Sequence, residues 1–373
     1  ENDLVGATFG RSFYFVDDYS PLRDVTESML RNDTVLFPVR QTPWYVERRP
    51  LSCAQPGCVD SLGDAYFIAP NPDFGATFTY YLPEALKTSK DRRRDIEKER
   101  EAQNQDVRFP DWDTILDEKL EDEPAILFVV RDGSGALVRT ITAPADAGFN
   151  RVAWDLRYPA VQAWLPEAER PSSPSRGVLA APGNYSVSMH SRVDGVIRDL
   201  EQTQSIEVVS IRPEPVLPGA SQEERVAFDQ QVDELIRAND GTQKAIARLS
   251  LELDAIKETL ASSTADPALY TTADSIQERL HAQLDRLKSN TARSNFKDWD
   301  EVSLSDRLSH ARYSAQANAY GPTPAQRESF AIGQRLYADV SGKLDQLVDV
   351  EYAALKRALD DARVPWTPGR GVQ

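Results

Sequence analysis

The sequence predicts a multidomain chain, mainly β through residue 210 and all-α after it: a β-sandwich with a helical insertion, then an antiparallel helical bundle. Three observations predict this. The stretch Gly148–Tyr158 alternates, with Phe149, Val152, Trp154 and Leu156 as its large apolar residues. Period two is the mark of a strand with one buried face. Just before it, Ala125–Arg131 and Leu137–Thr142 flank the turn Asp132-Gly133-Ser134-Gly135, a strong hairpin signal. After residue 220 the apolar spacing changes to steps of 3 and 4, the pattern of amphipathic helices.

Taken in order, residues 1–20 read as two short strands around a tight Gly10-Arg11 turn, with Asp17-Asp18 at the exit. The chain enters this alternating segment at once and shows no signal-peptide profile, so a fragment or processed piece is expected. Residues 21–63 read as an extended linker with a short helix near Thr26 and Glu27. It also holds the only two cysteines, Cys53 and Cys58. Residues 64–210 read as the sandwich, with strands expected at Ala65–Ala69 and Ala76–Leu82. Trp154 is assigned to its core, and a later strand opens at Pro182-Gly183-Asn184-Tyr185. A loop at 165–177 separates the last strands. Six or seven strands at this spacing, without helical crossovers, fit a sandwich rather than a parallel sheet. The insertion 84–122 contains seven basic and five acidic residues between Lys87 and Glu101, the mixture of a solvated projecting helix.

Residues 211–220 contain three prolines and read as a linker. The bundle follows at 221–365. Ser221 and Glu224 form a capping box, and Asp240-Gly241 is expected to break the first helix from the second. Stripes run through Ile246, Leu249, Leu253, Ile256 and Leu260, then Ile276, Leu280, Leu284 and Leu287, then Leu304, Leu308 and Ala311. A final helix carries Tyr337 through Leu359, and residues 366–373 read as a tail.

Composition excludes several functions. A formal net charge of −16 with a pI near 4.8 disfavours nucleic acid and anionic membranes as partners. No apolar run approaches the ~20 residues of a membrane-spanning helix. Two cysteines and three scattered histidines, His190, His281 and His310, form no zinc motif, and no cofactor or metal motif occurs. The Pro56-Gly57 turn between Cys53 and Cys58 suits a local disulfide in an oxidising compartment; free thiols in a loop are the alternative. Asn32 and Asn184 begin glycosylation sequons.

The segments "DLVGATFGRSFYFVDDYSPLRD", "YFIAPNPDFGATFTYYL", "GFNRVAWDLRYP" and "VPWTPGR" occur here as an ordered set spanning nearly the whole chain. In this the chain resembles the C-terminal region of bacterial secreted proteins built on a sortilin-like (VPS10-type) β-propeller, often labelled glycosyl hydrolases with BNR or WD40/YVTN repeats. The resemblance implies that residues 1–18 are closing strands of a propeller blade. It also implies that the sandwich is immunoglobulin-like or fibronectin-III-like, and that the location is secreted, periplasmic or cell-surface. The propeller, on the same or a separate polypeptide, is then the expected partner. The Asp-box repeats behind the hydrolase label are absent from this sequence.

No catalytic set emerges from the residues. Asp17 and Asp18 fall on opposite faces of a strand, and Asp155 is expected to pair with Arg157 or Arg139. There is no Gly-x-Ser-x-Gly elbow and no EF-hand loop. Trp44, Tyr45, Trp112, Trp164 and Trp299 lie in expected loops or linkers, where large aromatics serve domain docking or a protein or glycan ligand. The expected function is a non-catalytic scaffold and interaction region. The alternative is the accessory region of a glycoside hydrolase, or another hydrolase, whose active site lies on the propeller.

Overall fold

The computed structural model describes residues 2–47, 71–170, 176–211, 218–290, 295–296, 302–317 and 320–371, with the side chains of Asn32 and 313–317 excepted. Cys53, Cys58, Trp299 and the strand expected at Ala65–Ala69 lie outside the described residues. The chain divides into two compact units, Glu1–Pro159 with Leu179–Pro213, and Ala160–Val178 with Glu214–Gln373.

The first unit opens with β1 (Leu4–Ala7) and β2 (Phe13–Val16), an antiparallel pair in which Leu4 faces Val16 and Ala7 faces Phe13. The connection is wider than the expected two-residue turn, because Thr8 N–H closes it on Ser12 O at 3.2 Å. The short helix follows as α1 (Glu27–Asn32), capped by the Thr26 hydroxyl. Two sheets then share one core. The three-stranded sheet runs β3-β5-β8 (Val35–Leu36, Ala76–Leu82, Gly148–Trp154). The five-stranded sheet runs β4-β10-β9-β6-β7 (Thr42–Trp44, Val196–Ser210, Gly183–Val193, Ala125–Asp132, Leu137–Ala143).

Residues 35–36 and 42–44, expected within the linker, are therefore sheet strands. β3 pairs antiparallel with β5, and β4 pairs parallel with β10. With two and three residues, these strands are too short to show a period, and Pro38 and Pro43 mask them further.

Trp154, Phe78, Tyr80, Phe128 and Met189 meet between the sheets and are fully buried. The Phe78 and Tyr80 rings lie 5.3 and 5.2 Å from that of Phe128. Each such side chain contributes roughly 1.5–3 kcal/mol through removal of apolar surface from water. Gly75, at φ +116°, lets β5 abut β8; a Cβ there would stand 1.8 Å from Trp154 O. β8 ends at Trp154, where Leu156 turns the chain at φ +54° while its own side chain stays buried. Phe149 corrects the expected pattern. Its odd number sets it on the face opposite Val152 and Trp154, where it stacks on Phe37 at 5.8 Å and meets the tilted ring of Tyr81 at 5.1 Å.

The insertion holds two helices, α2 (Ser89–Ala102) and α3 (Trp112–Leu120), capped by Thr88 and Asp111. Arg93 joins them. Its Nε and Nη2 donate to the two carboxylate oxygens of Glu118 at 2.6 and 2.7 Å, and its Nη1 donates to Glu97 at 2.6 Å.

The second unit is helical: α4 (Gln222–Ala261), α5 (Ala268–Leu287), α6 (Leu304–Ala317), α7 (Pro324–Asp345), a π-helical turn (Gln346–Tyr352) and α8 (Ala353–Asp361). α4 starts at the expected Ser221–Glu224 capping box. It then runs unbroken for 40 residues, through Asp240-Gly241. A helical glycine costs only about 1 kcal/mol, less than the buried stripe Val232, Ile246, Leu253 and Ile256 contributes across it.

Two boundaries also move. Residues 160–178, expected within the sandwich, belong to the helical unit. There Ala163 N–H donates to Asp240 at 2.7 Å and Arg312 donates to Arg176 O at 2.9 Å. The expected tail is anchored as well. Arg370 is buried, bonded to Asp360 at 2.8 Å and to the carbonyls of Val364 and Pro365 at 3.0 and 2.8 Å. Gly369, at φ +83°, passes so close to α4 that a Cβ would stand 2.1 Å from Glu252 Oε2.

Candidate functional site

A cleft of about 630 Å³ opens in the first unit where the β1–β2 hairpin meets the sheets. Five short segments supply its walls: Asp3; Asp17-Asp18; Arg40 to Pro43 with Tyr45; Asn71 to Gly75; and Arg151 to Ala153 on β8. Arg151 projects from the exposed face of β8 and donates to the carbonyls of Asp17 and Asp18 at 2.7 and 2.5 Å. Asp18 sits at φ +44°, a left-handed conformation that aspartate tolerates better than most residues. This turns its N–H onto Asp3 Oδ1 at 2.9 Å and its carboxylate onto Ser20. Arg40 completes the set with an ion pair to Asp3 at 3.1 Å. The hairpin exit is thus tied down by two guanidinium groups and one carboxylate.

The cleft offers acceptors (the Asp carboxylates), donors (Arg40, Arg151, Asn71) and one aromatic wall. Tyr45 forms that wall, its ring set edge-on to Phe74 at 4.9 Å. Such a surface suits a polar extended ligand. The Asp18 N–H, and after it Arg40, hold the Asp3 carboxyl below the ordinary range. A general acid needs the opposite displacement.

Carboxyl groups displaced upward occur in the second unit. Burial pushes Asp229 to about 7 against the opposing pull of Arg225, and burial raises Asp233 despite Arg312 at 3.2 Å. One turn apart on α4, these two are only 6 and 4% exposed, too buried to meet a substrate.

The remaining aromatics separate by environment. Trp44 is core, 4% exposed, with its indole N–H on Ala180 O at 2.7 Å. Trp112 and Trp164 stand 80 and 78% exposed, on α3 and in the 160–178 segment. Asp155 pairs with Arg139 at 3.0 Å. His190 bonds Ser188 at 2.9 Å and His281 meets Ser250 at 3.3 Å, contacts that assemble no nucleophile. Among the described residues no group of three metal-binding side chains converges, and no helix is long and apolar enough to cross a membrane.

Sequence reasoning singled out Asp17, Asp18 and Tyr45 but missed Arg40, Arg151 and Asp3. Their contacts span up to 134 positions and mostly involve a backbone N–H or carbonyl on one side, which leaves no trace in side-chain pattern. No family model, curated protein or solved structure matches this chain.

Proposed function

We propose that this chain is the non-catalytic scaffold and interaction region of a secreted or cell-envelope sortilin-like propeller protein. In this reading β1–β2 completes the sheet of a propeller blade carried by the same or a separate polypeptide. The cleft at the hairpin exit then presents a polar surface to a protein or glycan. The observation that carries the reading is the hairpin itself. Leu4, Tyr14 and Val16 line one face, Val5, Phe13 and Phe15 the other, and all six are 49–65% exposed.

A two-stranded sheet that is apolar on both faces gains little by itself and leaves open edges. A blade covered on either side by neighbouring blades would bury both faces at once. The Arg151 and Arg40 contacts hold the two ends of the hairpin, which supports reading it as a fixed edge that such a sheet could extend. The alternative, the accessory region of a glycoside hydrolase or another hydrolase whose active site lies on the propeller, puts its catalytic carboxylates outside this chain.

Hydrogen exchange of the chain with and without its propeller region tests this. Amides of residues 4–16 should slow markedly on mixing, and Phe13→Asp with Phe15→Asp should abolish the effect. Unchanged exchange with a folded propeller would reject the reading.

A further inference from the structure

Helix α3 places Trp112, Leu116 and Leu120 at i, i+4 and i+8, so the three side chains stack along one face. They are 80, 54 and 73% exposed. Asp113 and Asp117 each follow one of them by a single residue, so their carboxylates form a short acidic rail beside the apolar stripe, whereas Glu121, the C-cap, turns to α2 and accepts from Ser89 N–H at 2.7 Å. The helix treats its two sides differently. On the side toward α2, Glu118 is neutralised by the two-pronged bond from Arg93. On the outer side Asp113 and Asp117 are exposed and have no ion-pair partner among the described residues.

We propose that the outer face of α3 is a docking surface for a basic amphipathic helix of a partner protein. The apolar stripe supplies the area such helix-in-groove contacts use, with Trp112 as the kind of aromatic anchor that dominates them. The acidic rail selects the partner. A second copy of this chain would set rail against rail in a molecule of net charge −16, and an anionic membrane would be repelled in the same way. A helix whose apolar stripe is flanked by Lys and Arg matches both features. The inference rests on the interaction role proposed above only in taking the chain to bind another protein; its surface is distinct from the hairpin and the cleft.

The probe is a labelled helix-forming peptide of leucine and lysine, with the leucines at helical spacing, titrated by anisotropy into the full chain at physiological ionic strength. Two control peptides replace lysine by glutamate, or leucine by serine. Saturable binding of the leucine–lysine peptide alone is expected. The Trp112→Ser/Leu116→Ser/Leu120→Ser variant, which keeps every charge, should weaken it about tenfold or more. The Asp113→Asn/Asp117→Asn variant, which keeps the stripe, should weaken it and flatten its salt dependence. Equal binding by the serine variant would reduce the effect to general attraction by an acidic protein and overturn the proposal. Equal binding of the leucine–glutamate peptide, or dimers of the chain that the serine variant loses, would overturn it too. The hairpin exchange measurement repeated on the serine variant separates the two readings. Slowed hairpin amides alongside unchanged peptide binding would sink this inference and leave the propeller reading standing.

Discussion

In α5, Ile276, Leu280 and Leu287 recur at helical spacing and none is more than 1% exposed; in α3, Trp112, Leu116 and Leu120 recur the same way and none is less than 54% exposed. The two helices follow one sequence rule and meet different neighbours. α5 lies against α4, with further contacts to α6, α7 and α8, and its stripe disappears into a shared core. α3 is held through polar bonds on its inner side, so its stripe faces out. Periodicity therefore reports that a helix has an apolar face but is silent on what covers it.

Substitutions sharpen this contrast, and the largest effect belongs to the covered stripe. Leu280→Ala should cost about 2–5 kcal/mol in denaturant unfolding, the usual range for a buried leucine. A cost below 1 kcal/mol would mean that the bundle core is loosely packed.

Next comes Asp229→Asn, which asks whether the same core tolerates charge. Burial raises this carboxyl from 3.8 to about 7, so the folded chain holds its proton where the unfolded chain has lost it. Folding therefore weakens as pH rises from about 4 through about 7. The asparagine variant should be more stable than wild type at pH 8, by an amount on the order of 2 kcal/mol. The gain should shrink toward zero near pH 4; equal stability across this range would contradict the upward displacement of this carboxyl by burial.

A smaller, local effect concerns the bond that holds α3. Arg93 keeps the Glu118 carboxyl below its ordinary value of 4.5, so this contact stabilises fully above that pH and is lost as pH falls through the lower folded value. Exchange at α2 and α3 should accelerate in that acid range before the bundle responds, and Glu118→Gln should remove the pH dependence. The smallest effect is expected at Leu116→Ala. Global stability should stay within about 0.5 kcal/mol of wild type, and a loss comparable to that of Leu280→Ala would show that α3 is covered after all.

Much of the architecture was legible in the sequence. The Asp132–Gly135 hairpin, the Trp154 core position, the Ser221–Glu224 box and the bundle stripes all follow from local chemistry that acts within a few residues. What escaped was set by distant partners. Gly241 reads as a breaker until the buried residues on both sides of it are counted, and β3 and β4 acquire strand character only from β5 and β10. Phe149 departs from the expected pattern because its odd position puts it on the opposite face of β8 from Val152 and Trp154. The cleft was half visible: Asp17, Asp18 and Tyr45 stood out by type, whereas Arg40 and Arg151 looked like any surface arginine.

The π-helical turn at Gln346–Tyr352 has a consequence for chain length. Val340, Leu344 and Leu347 are buried at steps of 4 and 3, but the next buried residue is Tyr352, five positions on, after which Leu355 and Leu359 resume the ordinary rhythm. One residue is accommodated as a bulge, and the seam stays in phase on both sides. The helix thereby tolerates a one-residue difference in length. Removing Asp349 should convert the turn to plain α-helix with Tyr352 still reaching Glu252, whereas a deletion at Lys343, inside the regular α7, should throw the seam out of phase.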